Sequence, residues 1–334
     1  MLATQLIIAT VIAWAAIAVV ALTLLTQLVG WCGIVIVAVA QALTPLLAAG
    51  TVFATIVGRF DDDWPLLVAG VVTTLGIAFQ VVAALPRRRW RGTADVPALS
   101  VFHGNLLYTN VRDPSTVAAA VLATGADVLA LSELHPDHEL ALLANPLAAR
   151  YPYRIGHASR GADGLALWST QPFGEITRAP HVYRDGLIAG LAIGGVPFRL
   201  LFAHPSPPTR QPYITAWERA LREIGQLGRA PGPPTLIVAD LNAARWHPPL
   251  RRLLRAGWRD AHESRGRGLS TSWPTNGRLP IPFVRLDHAL LGEGLGLVDV
   301  RDVEIPGSDH RAFVVTVNMA TTSALRPSAS PPAP

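Results

Sequence analysis

Eight polar side chains in this sequence fall at the ends of short β-rich runs. Asn105 follows the run Leu99–His103, Glu133 follows Asp127–Leu131, His204 follows Phe198–Ala203, and Asp240 and Asn242 follow Thr235–Ala239. Asp287 lies within Val284–Leu291, and the pair Asp309-His310 precedes Ala312–Val317. A strand that finishes in a carboxylate, an amide or an imidazole leaves that group at the edge of its sheet. Several strands ending at one edge make a polar pocket. Carboxylate and amide oxygens are hard ligands that suit Mg²⁺ or Mn²⁺, whereas a zinc site takes more His and Cys. Singly, each residue has an ordinary use: a turn Asn, a solvated Glu, Asp-Leu-Asn capping the helix after His247, Ser-Asp-His as a turn. The weight lies in the order of the whole set.

That order resembles the endonuclease/exonuclease/phosphatase superfamily of metal-dependent phosphoesterases. The residues carrying the resemblance are Asn-Leu-Leu-Tyr-Thr-Asn from Asn105, Ser-Glu-Leu from Ser132, Ala-His-Pro ending at Pro205, Val-Ala-Asp-Leu-Asn ending at Asn242, Arg-Leu-Asp-His from Arg285, and Gly-Ser-Asp-His-Arg from Gly307. Gly-Leu-Ala-Leu-Trp-Ser at Gly164–Ser169 looks like the central core strand of that superfamily. The last three motifs in that order are the specific ones. Two positions depart from the pattern: Ala239 stands where a glycine usually precedes the Asp, and Ser132 where Gln often precedes the Glu. Neither change removes a functional group. With the apolar segments described below, the chain is most similar to the teicoplanin-resistance membrane-protein branch.

The resemblance implies roles. Glu133 is the first metal ligand, with Asn105 beside it and Asp309 as a third, and the metal is Mg²⁺ or Mn²⁺. Asp240 orients or deprotonates the attacking water, and Asn242 donates to the phosphoryl oxygens. Asp287 holds His310 in one tautomer, and His310 contacts the scissile phosphate as base or electrostatic stabiliser. His204 is a second imidazole at the phosphate that helps the leaving group. His103 reads as a strand residue beside the site, and His135, His138, His247 and His262 as residues of ordinary structure. Tyr108 and Trp273 fit either a cleft lining or simple aromatic packing.

The elements that must position these groups begin after a very different N-terminal third. From Met1 to Leu85 the only charged side chains are Arg59, Asp61, Asp62 and Asp63. Subtracting them from totals of 28 basic and 23 acidic residues leaves 27 and 20, a net +7, in the remainder. All the basic residues are Arg. Nucleotide composition bias accounts for that most simply, though an Arg-rich domain is drawn to phosphate or anionic lipid. Cys32 is the one cysteine, so no disulfide forms within the chain. Three apolar runs, Leu6–Val29, Gly33–Val57 and Trp64–Leu85, each exceed the roughly 20 residues that cross a bilayer as a helix. Trp31, Trp64 and Trp90 sit at run ends, where an aromatic belt places them. Three transmembrane helices are therefore expected, in a multi-pass protein of the cell membrane. Arg87, Arg88, Arg89 and Arg91 favour a cytoplasmic catalytic domain under the positive-inside rule, yet the same cluster suits lipid head groups, so the side stays open.

The expected organisation is a membrane anchor with basic linker over residues 1–92, a metal-dependent phosphoesterase domain over 93–318, and a Ser/Pro/Ala-rich disordered tail over 319–334. Many strands and few helices point to an α/β (α+β) architecture, a two-sheet sandwich flanked by helices. Helices are expected at Pro114–Thr124, Asp137–Ala149 and Gln211–Leu227. Fold does not fix substrate. Tethering favours a membrane substrate over bulk nucleic acid, which suggests a lipid-linked phosphate or pyrophosphate of cell-envelope synthesis. Glycopeptide resistance enters from the resemblance alone. A membrane-bound nuclease suits the net charge, but no Lys/Arg run with interleaved aromatics would track a nucleic-acid backbone. A non-catalytic membrane sensor is the third reading, and the complete polar set argues against it.

Overall fold

A computed structural model describes residues 2–85, 96–179, 186–275, 277 and 281–320. Arg87, Arg88, Arg89, Trp90 and Arg91, and the tail beyond Ala320, lie outside the described residues.

The N-terminal third is helical. α1 (Leu2–Val29) and α4 (Trp64–Ala84) are each long and apolar enough to cross a membrane. The expected middle span is not one helix. It divides into α2 (Val35–Ala42) and α3 (Thr44–Phe60), bent by 80° at Leu43, and only the bent pair taken together is apolar and long enough to cross. Pro45 explains the break: it sits in the first turn of α3, has no N–H to give to Gln41, and its ring crowds that carbonyl. The carbonyl of Gln41 is satisfied instead by the Thr44 hydroxyl, at 2.7 Å.

Side-chain bonds fix the chain directions. Thr10 and Trp14 of α1 reach Asp61 and Asp63 at the far end of α3, while Gln27 near the other end of α1 bonds Thr44 and Gln80. So α3 runs antiparallel to α1 and to α4. Asp63 also caps α4 by accepting from the Leu66 N–H at 3.0 Å. Leu28, Val72, Leu75 and Phe79 point outward, more than half exposed.

The remaining chain is a two-sheet sandwich. One sheet contains β1 (Ala98–Asn105), β2 (Val128–Ser132), β3 (Tyr153–His157), β4 (Leu165–Ser169), β11 (Leu295–Glu304) and β12 (Arg311–Met319), in the order β11-β12-β1-β2-β4-β3. The other contains β5 (Ile176–Ala179), β6 (Gly186–Ile193), β7 (Val196–Ala203), β8 (Thr235–Asp240), β9 (Arg259–Asp260) and β10 (Asp287–Leu291), in the order β5-β6-β7-β8-β10-β9. Helices α5 (Pro114–Leu122) and α6 (Pro136–Ala144) cover the first sheet, and α7 (Gln211–Gly228) and α8 (Pro248–Arg255) the second, with a short α9 (Ala261–Ser264) at β9.

Central strands are apolar on both faces because both faces are covered. In β2, Val128 and Ala130 enter the core between the sheets, and Leu129 and Leu131 pack under α5 and α6. In β8, Leu236 and Val238 face the inter-sheet core, while Ile237 and Ala239 meet Trp217, Leu221 and Ile224 of α7. The period of two thus divides each strand between two cores. The expected strand Val284–Leu291 is shorter at its start. β10 begins at Asp287, because Val284 pairs only with Trp273 in an isolated bridge. The last strand extends through Met319.

Candidate active site

Strand register brings the polar set together. β1 and β2 run parallel with Asn105 opposite Ser132, so Glu133 emerges beside Asn105. β7 and β8 run parallel with Ala203 opposite Ala239, which sets His204 next to Asp240. β10 runs antiparallel to β8 with Asp287 directly opposite Asp240. His310 ends the loop that enters β12. Two parallel pairs finish, and two antiparallel strands begin, at one edge of the sandwich.

The Asn105 amide lies at the centre. Its Nδ2 donates to Glu133 Oε1 at 3.1 Å and to Asp240 Oδ2 at 3.2 Å, while its Oδ1 accepts from the Leu107 N–H at 2.9 Å. Glu133 Oε2 accepts from the Tyr108 N–H at 3.1 Å. His204 Nε2 is 3.4 Å from Asp240 and 3.8 Å from Glu133. Asn242 gives its backbone N–H to Asp240 Oδ1 at 2.9 Å and its side-chain amide to the Pro205 carbonyl at 3.0 Å. Leu107, Glu133 and Asn242 all have positive φ, at 59°, 51° and 48°. Side chains adopt that region at a cost, and such strain clusters at functional sites.

Behind them lies a buried pair. His310 Nδ1 and Asp287 Oδ2 are 2.8 Å apart, and Asp240 Oδ2 is 3.7 Å from the same ring nitrogen. A carboxylate can only accept, so His310 Nδ1 carries the proton and Nε2 is the nitrogen left for a substrate. Burial works to strip the His310 proton, but the charges of Asp287 and Asp240 and the hydrogen bond with Asp287 override it and raise its pKa well above the ordinary value. Burial would raise Asp287 in turn, yet the His310 charge and hydrogen bond hold it below the usual carboxylate range. Asp240 differs: burial pushes it up to about 7, with the pull of His310 only partly offsetting.

Asp309 lines the same cleft, and its carboxylate accepts from the Trp273 indole N–H at 3.1 Å. Ser308 locks the loop by donating to the Asn105 carbonyl at 2.7 Å and accepting from the His310 N–H at 3.0 Å. The cleft encloses about 650 Å³, and all the expected site residues except Asp287, which lies behind His310, line it.

A cation fits this arrangement. Glu133, Asp240 and Asp309 face one cleft, and no Arg lines it among the described residues. Asp240, Asp287 and His310 also offer ligand atoms within 4.8 Å of one another. However, Asp287 and His310 Nδ1 are already spent on each other, whereas Glu133 sits at the open side. Turning the Asn105 amide over would present Oδ1 to an ion.

The sequence model of the Endonuclease/Exonuclease/phosphatase family matches residues 104–310. The chain belongs to that family. Its members are typically metal-dependent phosphoester hydrolases. Solved structures share the fold. D. rerio TDP2 complexed with a single-strand DNA product is 19% identical over 66% of this chain and 99% of that one, with a TM-score of 0.56. An endonuclease/exonuclease/phosphatase from Beutenbergia cavernae is 17% identical over 67% and 72%, TM-score 0.54. The human Nocturnin catalytic domain with bound sulfate is 15% identical over 67% and 96%, TM-score 0.54. Among curated proteins none matches.

Within this family fold, two histidines count for more than the sequence suggests. His103 is fully buried, stacked on Phe313 with ring centroids 5.1 Å apart, and its Nδ1 is 3.6 Å from Asp287 Oδ1. Burial lowers its pKa to about 4, so it stands neutral beside the Asp287–His310 pair. His247 accepts the Ala244 N–H at Nδ1, at 2.8 Å, which makes Nε2 the donor to the Ala38 carbonyl, also at 2.8 Å. It tethers the Asp240–Ala244 loop to α2. His135 and His138 stay outside the cleft, and His262 pairs with Asp302 at 3.2 Å. Tyr108 and Trp273 both line the cleft.

Proposed function

We propose that the chain is a membrane-anchored, metal-dependent hydrolase of phosphoester or pyrophosphate bonds, acting on a lipid-linked phosphate of the cell envelope. One observation carries this reading: the Asn105–Glu133–Asp240–His310 cluster stands on a family fold of phosphoester hydrolases, in a chain whose first 85 residues are almost free of charge.

Glu133, Asn105 and Asp309 would hold the cation, Mg²⁺ or Mn²⁺ by ligand type. When bound, it supplies charge that offsets the phosphoryl oxygens. Asp240 accepts the proton of the attacking water, a task suited to a carboxyl that titrates near neutrality. His310, held charged by Asp287, lies against a phosphoryl oxygen and stabilises the charge that grows there. Asn242 donates to a second oxygen through the remaining hydrogen of its amide. His204 gives a proton to the departing oxygen. A second cleft shares Leu107 and His310 and carries Arg112 and Arg311, which suits the anionic remainder of a substrate.

The similarity to the teicoplanin-resistance branch supports a lipid pyrophosphate as substrate. The test follows hydrolysis by detergent-purified full-length protein of polyprenyl pyrophosphate (phosphate release), phospholipid (head-group release) and duplex DNA (strand scission), each with Mg²⁺ and with chelator. Mg²⁺-dependent release from the lipid pyrophosphate is expected. Cleavage of DNA with both lipids left intact, and with steep loss of activity in salt, would replace the lipid substrate with a nucleic acid.

A further inference from the structure

The bend at Leu43 places α2 against the catalytic cleft. Ala38, Val39, Ala42 and Leu43 line the same 650 Å³ space as Glu133, Asp240 and His310. Across from them stand Phe283 and Leu286, and Ala42 and Leu43 pack in one apolar cluster with those two residues and Trp273. The cleft therefore has a charged floor and an apolar wall, and the wall comes from the N-terminal third of the chain.

α2 is held there. His247 Nε2 donates to the Ala38 carbonyl at 2.8 Å, Gln41 donates to the Trp31 carbonyl at 2.9 Å and to Thr26 at 3.1 Å, and Gln211 of α7 reaches the Gly33 carbonyl at 2.7 Å. Val37, Ala38 and Gln41 are buried and Ile36 is 74% exposed, while Val39, 51% exposed, lies at the cleft. Ile36 is exposed and apolar, as are Leu28 and Val29 of α1 and Phe79 of α4. The ends of α1 and α4 nearest α2 also meet the catalytic domain: Arg252 bonds the Gly30 carbonyl, and Arg251 bonds Gln80. With α1 and α4 upright in a bilayer, a helix bent 80° from α3 at that end lies along the bilayer surface. One side meets lipid and the other lines the cleft.

We propose that α2 is the wall along which the apolar chain of a lipid pyrophosphate enters the active site. The chain lies along the apolar lining formed by α2 and the Phe283–Leu286 segment, and the phosphate comes to rest at Glu133 and His310. Ala38 and Ala42 are small and leave the channel open, so they set which chains pass. A polynucleotide gains nothing from this wall. The inference rests on the hydrolase reading above, and it adds the route and the residues that select the chain.

The experiment uses full-length protein in lipid nanodiscs and a long-chain alkyl pyrophosphate with a diazirine in its alkyl chain. After irradiation, labelled peptides are mapped. Labelling of residues 34–43 is expected to fall when unlabelled long-chain alkyl pyrophosphate is added, while bulk-lipid labelling at Val72 and Phe79 stays constant. Labelling of 34–43 no more displaceable than at Val72 overturns the proposal. In a second arm, Ala42→Trp is expected to lower the ratio of kcat/KM for long-chain over short-chain alkyl pyrophosphate by about tenfold, the loss of contact with one or two methylenes. An unchanged ratio overturns it. If the long-chain compound is hydrolysed but α2 labelling is not displaced, the route fails and the hydrolase reading stands. If only DNA is cleaved, the hydrolase reading itself fails in its substrate.

Discussion

At the scale of single residues, the site divides into an open acidic side and a closed relay. Glu133 and Asn105 face the cleft, and Asp287 holds His310 from behind. Glu133→Gln keeps the shape and the Tyr108 N–H partner but removes the charge, so kcat is expected to fall about a hundredfold to thousandfold. His310→Ala is expected to cost about a hundredfold to ten-thousandfold, measured as steady-state phosphate release. The pH profile follows from Asp240. It must be ionised to accept a proton, and burial holds it near 7, so kcat/KM should rise as pH increases through about 7. His310 is raised and keeps its charge over the same range, so the fall on the alkaline side comes well above neutrality. A rate that falls as pH rises from 6 to about 8 would reverse the assigned roles. The convergence of the eight expected residues on one edge was legible because each stands at or near a strand end within an ordered motif. His103 was legible as a strand residue beside the site, but its approach to Asp287, far away in sequence, was not. His247 was hidden for the same reason, since its partner Ala38 belongs to another part of the chain.

At the scale of elements, parallel pairing aims the groups. β1 with β2, and β7 with β8, end together and deliver Asn105, Glu133, His204 and Asp240 to one edge. These strands were visible as continuous apolar runs because both of their faces are buried. β3 and β5 were missed because they are exposed edge strands, whose residues carry little alternation. The bend between α2 and α3 was also missed: composition makes Gly33–Val57 one apolar run, and Pro45 near its middle was its one local sign. α3 and α4 pack through small residues, and a Cβ on Gly70 would lie 2.8 Å from the Thr55 backbone nitrogen. Gly70→Ile is therefore expected to cost about 1–3 kcal/mol and to lower the thermal midpoint of the detergent-solubilised protein. An unchanged midpoint would mean that the two helices do not pack this closely.

At the scale of the whole molecule, the N-terminal helices and the sandwich are joined by hydrogen bonds from α7 and α8 to Gly33, Gln80 and Gly30. The N-terminal helices are not a separate body, since α2 completes the cleft. Outward Leu28, Val72, Leu75 and Phe79 make a surface suited to lipid rather than water. After cell fractionation the full chain is expected to remain in the membrane pellet through high salt and alkaline carbonate. Release by either wash would make the association peripheral.

If the Glu133 cleft binds a divalent cation and uses it to hydrolyse a phosphoester, binding and turnover must depend on the same carboxylate. The most direct measurement follows Mn²⁺ binding by electron paramagnetic resonance and phosphate release from polyprenyl pyrophosphate on the same preparation, for full-length wild type and Glu133→Gln. Stoichiometric Mn²⁺ binding with turnover is expected in the wild type, and loss of both in Glu133→Gln at an unchanged thermal midpoint. Turnover and Mn²⁺ binding that survive in Glu133→Gln would contradict that dependence.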